Sequence, residues 1–188
     1  MRKYPLLSYL FALVLICGSV AFAATQWSVQ PKESKLTFVG TQAGAEFEGA
    51  FERFTADIKF DPQDLAGSRF DVKVETASVN SRDSERDDTL KSDDFFAVKQ
   101  FPTAHYVTER FTAKGGNKFT ATGKLTLRNV TRDVPLEFTF EQKSGSAWLK
   151  GLAQLKRLEF GLGAQGDWKD TESVGNEVKV GFVLLLKQ

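Results

Sequence analysis

The chain has 188 residues, with 25 Lys+Arg against 24 Asp+Glu, one His, one Cys, one Met and 17 Phe. That length suits one domain or at most two small ones. The near-zero charge gives no basic field for nucleic acid, and the composition excludes collagen, a disulfide scaffold, a coiled coil and a polytopic membrane protein.

Residues 1–23 read as an address. Arg2 and Lys3 precede an apolar run from Leu6 to Val20, and Ala21-Phe22-Ala23 forms an A-x-A cleavage site before Ala24. An uncleaved anchor would need a run of about 20 apolar residues. Lipidation at Cys17 would need a small residue where Ile16 stands. Cleavage after Ala23 therefore predicts an exported, periplasmic chain with one domain over residues 24–188. The cut removes Cys17 and Met1, so thiol catalysis, thiolate metal sites and disulfides are excluded and the apolar core must suffice for stability.

Along the rest of the chain the hydrophobic period is two. Leu36 and Phe38 alternate with Lys35 and Thr37, and Phe47, Gly49 and Phe51 alternate with Glu46, Glu48 and Glu52. The phase slips near Arg53 and resumes at Phe54, Ala56, Ile58 and Phe60, the mark of a bulge or bend. Phe70, Val72 and Val74 follow, then Phe119 to Leu127, Val134 to Phe140 and Val178 to Leu186 on alternate positions. Such alternation predicts antiparallel strands with one wet face. Segments near 34–42, 45–60, 68–79, 104–113, 117–128, 133–143, 147–160 and 177–187 give about eight strands. Asp61-Pro62, Gly115-Gly116-Asn117, Ser144-Gly145 and Gly175-Asn176 supply turns. One interruption, Ser81–Val98, is helical in composition, with Leu90, Phe95 and Phe96 as apolar anchors.

The fold class is thus all-β, an eight-stranded antiparallel β-barrel with a short helical excursion near residues 81–98. A barrel is favoured over a sandwich because several strands are long and closure abolishes the edges. A barrel of this size either packs its interior solid or holds one ligand.

Little in the sequence supports catalysis. His105 stands alone, beside Tyr106 in a predicted strand, where a partly exposed structural imidazole is expected. No G-x-S-x-G occurs. Asp83, Asp87, Asp88, Asp93 and Asp94 cluster without calcium-loop spacing, and Arg82, Arg86 and Lys91 interleave with them. A solvated helix face laced with i,i+4 ion pairs is the reading.

Three blocks carry a resemblance. They are Val79-Asn80 through Arg86-Asp87-x-x-Leu90-x-Ser92-x-Asp94-Phe95-Phe96-x-Val98-x-x-Phe101-Pro102; Gly123-Lys124-Leu125-Thr126-Leu127-x-x-Val130-Thr131-Arg132-x-Val134; and Leu155-x-Arg157-x-x-Phe160-Gly161 with Gly166-Asp167-Trp168 and Val174-Gly175-x-x-Val178. Together with Trp27-x-Val29 and Ser34-x-Leu36-x-Phe38 they resemble the YceI-like family over essentially the whole exported chain. Thr89 stands where many members have His, and Asn129 where many have Gly. The resemblance implies an extended, lipocalin-like barrel that binds a polyisoprenoid or similar long-chain lipid, such as a polyprenyl phosphate or a quinone, in an apolar tunnel. It implies no further cofactor and only transient contact with a membrane.

A carrier of that kind needs a lumen about as apolar as a bilayer, because a tail gains ~0.8 kcal/mol per CH₂ on leaving water and almost nothing on leaving lipid. The inward phase offers Phe38, Phe47, Phe51, Phe70, Val72, Val74, Leu125, Leu127, Phe138, Phe140, Val180, Phe182 and Leu184 as wall residues. Arg82, Arg86 and Arg157 are the basic residues within the family blocks that could meet a head group. Two other readings stay open at this level: a structural barrel packed solid by its Phe side chains, and an enzyme acting on an amphiphile through Asp94 or Asp167.

Overall fold

The computed structural model describes residues 24–188, so the predicted leader over residues 1–23 lies outside the described residues. The strands are β1 (Gln26–Val29), β2 (Lys35–Gln42), β3 (Ala45–Phe51), β4 (Phe54–Lys59), β5 (Arg69–Glu75), β6 (Val79–Asn80), β7 (Thr103–Gly115), β8 (Lys118–Leu127), β9 (Val130–Lys143), β10 (Ser146–Lys156) and β11 (Glu177–Lys187). Among the described residues one α-helix, α1, spans Ser84–Lys91. All pairings are antiparallel.

Eight staves close the barrel, and three of them are interrupted. β1 and β2 lie end to end along β11, with Val29 opposite Leu186 and Phe38 opposite Val180. β3 and β4 form the next stave: Phe51 ends one half, Phe54 begins the other, and the break falls at the phase slip near Arg53. β5 and β6 form the third, joined by a 3₁₀ turn at Thr76–Ser78. From there β7 to β11 follow in order until β11 meets β1. The all-β, eight-stranded antiparallel barrel of the sequence is therefore the observed fold. The sequence pattern passed over β1, because four residues carry too little alternation and the turn at Pro31 separates them from β2.

Two boundaries differ from expectation. The segment read as a strand over 147–160 stops at Lys156, and Arg157–Phe160 makes a 3₁₀ turn that ends at Gly161 with φ +75°. The helical excursion over 81–98 contains only two turns of helix, followed by turns through Gln100. Its apolar anchors behave as expected: Phe95 and Phe96 are buried and Leu90 is half-buried. The expected ladder of i,i+4 ion pairs is not what its acids do. Asp83 caps the helix by accepting from Arg86 N at 3.0 Å, Asp87 accepts from Ser81 N at 2.7 Å, and the close ion pair is Asp83–Arg86 at i,i+3. The orphan N–H groups at the helix start and in the chain entering it bind carboxylates more strongly than an exposed Lys or Arg would.

The turn between β8 and β9 places Arg128 and Asn129 at φ +51° and +60°. Asn is the residue other than Gly that most readily adopts this region, which explains its tolerance here. Gly123 on β8 has a different reason. A Cβ there would meet the Val107 carbonyl oxygen at 2.5 Å and the Tyr106 hydroxyl at 2.6 Å, so only Gly lets β7 and β8 approach with Tyr106 tucked between them.

The interior is divided. At the end formed by β1, β4 and the hairpin of β9 and β10, Phe60 is fully buried and its ring meets Phe70, Phe111, Phe119, Phe138 and Phe140 at centroid distances of 4.9–5.8 Å. Trp27 packs edge-on against Phe140 at 5.4 Å and donates from Nε1 to the Phe60 carbonyl at 2.9 Å. Leu149 and Leu186 complete this floor at 1% and 0% exposure. Towards the other end the barrel is hollow.

Candidate functional site: an apolar cavity in the barrel

The hollow is a cavity of about 230 Å³. Phe38, Phe47, Phe51, Phe70, Val72, Val74, Leu125, Leu127, Val180, Phe182 and Leu184, all on the inward phase of the sequence, line it. Leu36, Phe54, Leu136, Leu149, Leu155 and Val178 extend the wall on the same phase. On β11 the lining runs from Val178 to Leu184, which corresponds to ~20 Å of strand and, after barrel tilt, ~15 Å of depth. The side chains of Leu90 on α1, Phe160 on the 3₁₀ turn, and Phe95, Phe96, Leu162 and Val174 in the connecting segments enclose the end opposite the floor. No period-two rule could find these residues, because they stand outside the strands.

Phe138 and Phe140 depart from expectation. Both point inward, but they pack into the aromatic floor, with exposure of 4% each, and lie outside the cavity lining. Alternation sets which face a residue occupies and says nothing of its depth along the barrel. The same distinction shows in accessibility. Val72, Val74, Leu125, Val180 and Phe182 face inward yet remain half-buried, whereas Phe60, Ala121 and Leu186 on the floor are fully occluded. Inward apolar residues stay accessible only when the space they face is empty, so the reading of a barrel packed solid holds for the floor and fails for the other half.

The wall offers water few partners. The Thr76 hydroxyl donates to the Phe101 carbonyl at 2.9 Å, and the Tyr106 hydroxyl donates to the Val134 carbonyl at 3.0 Å. Burial pushes the Tyr106 phenol far above its ordinary pKa. Arg157 is the charged residue of the lining, only 4% exposed, and its donors are all spent. Nε donates to Gly175 O at 2.9 Å; Nη1 donates to Leu162 O and Gly163 O, both at 2.9 Å; and Nη2 donates to Trp168 O at 2.6 Å and Val174 O at 2.7 Å. That set uses every N–H a guanidinium carries. Among the described residues no carboxylate pairs with it, and burial draws its pKa down. A cavity with such a wall excludes water and accepts hydrocarbon.

The three basic residues offered by the sequence therefore separate. Arg157 is a staple for the segment 161–176 and has no hydrogen bond left for a ligand. Arg82 lies exposed at φ +61° on the turn before α1, outside the cavity lining. Arg86 stands at the rim, its guanidinium 4.1 Å above the ring of Phe47 and its Nε donating to Gln42 Oε1 at 3.0 Å. Arg128, which the sequence did not single out for a role, ties the rim together by donating from Nη1 to the carbonyls of Asp94, Phe95 and Gly161.

The carboxylates proposed for an enzyme are elsewhere. Asp94 and Asp167 are exposed and neither lines the cavity. His105 is on the outer wall, 2.7 Å from Asp71, and that contact, with Arg69 adding to it, holds the Asp71 carboxyl below the usual range.

Comparison with known proteins agrees with this fold. A family model described as the YceI-like domain matches residues 27–186. A UPF0312 protein of Shewanella denitrificans is 31% identical over 138 residues, covering 73% of this chain and 72% of its own. A UPF0312 protein of Vibrio parahaemolyticus is 29% identical over 140 residues, covering 71% and 74%. Among solved structures, BcnA of Burkholderia cenocepacia superposes with a TM-score of 0.80 at 33% identity, covering 84% of this chain and 99% of that one. A polyisoprenoid-binding domain from Saccharophagus degradans, implicated in plant cell wall breakdown, shares the fold with a TM-score of 0.68 at 15% identity, covering 86% and 97%.

Proposed function

The chain belongs to the YceI-like family, and from that premise we propose that it is an exported, non-enzymatic binding protein that carries a long-chain isoprenoid lipid in the barrel lumen. The observation that supports this most is the cavity itself, about 230 Å³ of space whose wall is almost wholly apolar and whose Thr76, Tyr106 and Arg157 donors are hydrogen-bonded to the protein's own backbone. Binding, not turnover, suits such a wall, since among the described residues its lining holds no carboxylate, histidine or cysteine. The polyisoprenoid-binding neighbour supports the class of ligand. The A-x-A site at Ala21-Phe22-Ala23 supports export to the periplasm with a mature start at Ala24. Loading and release then require transient contact with a membrane, because the tail is otherwise insoluble.

Native mass spectrometry of the mature protein, purified without detergent from its own host and then solvent-extracted, is expected to show a stoichiometric lipid adduct whose fragments carry isoprene spacing. A clean unliganded mass that persists after incubation with polyprenyl phosphates and with quinones would overturn the proposal.

A plug variant supplies the complementary result. Val180 is a half-buried wall residue in mid-strand, so Val180→Trp is expected to fill the lumen and remove the adduct. Forcing a large side chain into a filled core costs about 1–3 kcal/mol, and entering real space spares most of that penalty. Thermal unfolding of Val180→Trp within a few degrees of the parent would show that the space exists.

A further inference from the structure

The barrel wall has a seam. β3 pairs with β2 along its whole length, from Ala45 opposite Gln42 to Phe51 opposite Leu36. On its other side it pairs with β6 only at Ala50 and Phe51. The stretch Ala45–Gly49 therefore presents an edge without a strand partner on that side, and α1 meets it through Arg86, which lies over Phe47. Leu90 and Arg86 stand one turn apart on the same face of α1. Leu90 enters the cavity lining, and Arg86 sits above Phe47 at its rim.

Resting on the lipid-carrier reading, we propose that this seam is the head-group site, and that Arg86 holds a head group bearing acceptor oxygens, the chemistry shared by a phosphate ester and a quinone carbonyl. Three observations carry the assignment. Arg86 keeps donors to spare: Nε serves Gln42, Nη2 lies 3.5 Å from Asp83, and among the described residues Nη1 has no partner. Its guanidinium carbon sits 4.1 Å over the ring of Phe47, a wall residue, so a head group leaving the lumen beside Phe47 passes next to it. Arg157 lies at the same end, linked to Arg86 through Val174 and Gln42, which bridge to each other. Its buried charge has no paired acid, and it favours negative charge on oxygen nearby without lending a hydrogen bond of its own. The tail then points away from the seam, towards Leu149 and Leu184 at the floor.

The test uses the mature protein and three soluble probes, farnesyl phosphate and farnesol, which share one tail, and a quinone with a short isoprenoid tail. Wild type is expected to bind farnesyl phosphate or the quinone at least ten-fold more tightly than farnesol. Arg86→Met is expected to remove that advantage by a factor of about 10–100, the range for hydrogen bonds to a charged group, while farnesol changes less than two-fold. Which of the two acceptor probes loses more identifies the source of the oxygens. Arg82→Met, on the neighbouring turn, should leave all three unchanged. The wild-type preference needs no variant and stands even where Arg86→Met folds poorly. Equal binding of all three probes by wild type, or equal losses across them in Arg86→Met, would overturn the head-group assignment and leave the carrier reading intact. Failure of every probe to bind wild type would instead overturn the carrier reading and the assignment with it.

Discussion

Phe60→Ala is expected to cost about 3–5 kcal/mol of folding stability, read as a drop in the denaturant midpoint with unchanged slope. Phe60 is 0% exposed and its ring touches five other phenylalanine rings. Truncation leaves a void that these neighbours, fixed on four strands, cannot collapse to fill. Edge-to-face contacts add to the loss beyond the area term. Phe51→Ala provides the contrast. Its ring also meets two others, Phe38 at 5.5 Å and Phe96 at 5.7 Å, but it is half-buried because it borders empty space. Less transfer free energy is lost there, about 1–2 kcal/mol, and no new enclosed void arises. The pair of variants thus separates floor from lumen. Equal costs at the two positions would mean that the barrel is packed alike along its length, contrary to the cavity.

Arg157→Leu is expected to be nearly as damaging, about 3–5 kcal/mol, although leucine matches the apolar wall around it. The guanidinium closes the backbone carbonyls of Leu162, Gly163, Trp168, Val174 and Gly175. Segment 161–176 has little ladder of its own, with one isolated bridge between Val174 and Gln42. Without the fork, several carbonyls lose their partner in a place water enters poorly, and the segment is expected to open. Limited proteolysis or hydrogen exchange should then show the change between residues 161 and 176 before the rest of the barrel responds. Arg157→Lys should fail to rescue it, since an ammonium offers three donors from one point where five diverging ones are used. A lysine variant as stable and as protected as wild type would sink this account.

The order of these effects bears on function. The floor and the Arg157 staple hold the two ends of the barrel, while the half-buried wall and the α1 seam carry the ligand. Substitutions in the first group should lower stability; those in the floor should reduce binding only through loss of fold, and Arg157→Leu should in addition remove a buried positive charge from the head-group end. Substitutions in the second, Val180→Trp and Arg86→Met, should change what is bound in a protein that remains folded.

Much of this was legible in the chain. Alternation of Phe, Val and Leu with Lys, Thr and Glu set the strands, the antiparallel pairing and the inward face, because in a β-strand each residue's side is decided by its neighbours in sequence. The phase slip at Arg53 located the break between β3 and β4, and the Gly115-Gly116-Asn117 and Ser144-Gly145 turns located two hairpins, since turn chemistry is equally local. The apolar character of the lumen followed from the same pattern.

Depth was not local, and tertiary structure alone decided it. Phe138 and Val180 satisfy the same period, yet one packs in the floor and the other borders the cavity, because register, tilt and shear assign each inward residue its level in the barrel. The three arginines of the family blocks were equivalent in sequence as well. Only the folding back of segment 161–176 consumed every donor of Arg157, only the turn before α1 carried Arg82 out to solvent, and only the free edge of β3 put Arg86 on Phe47 with donors to spare. Charge and hydrophobicity are properties of a residue; whether a charge is spent or available depends on which distant backbone groups reach it, and that is settled by the fold.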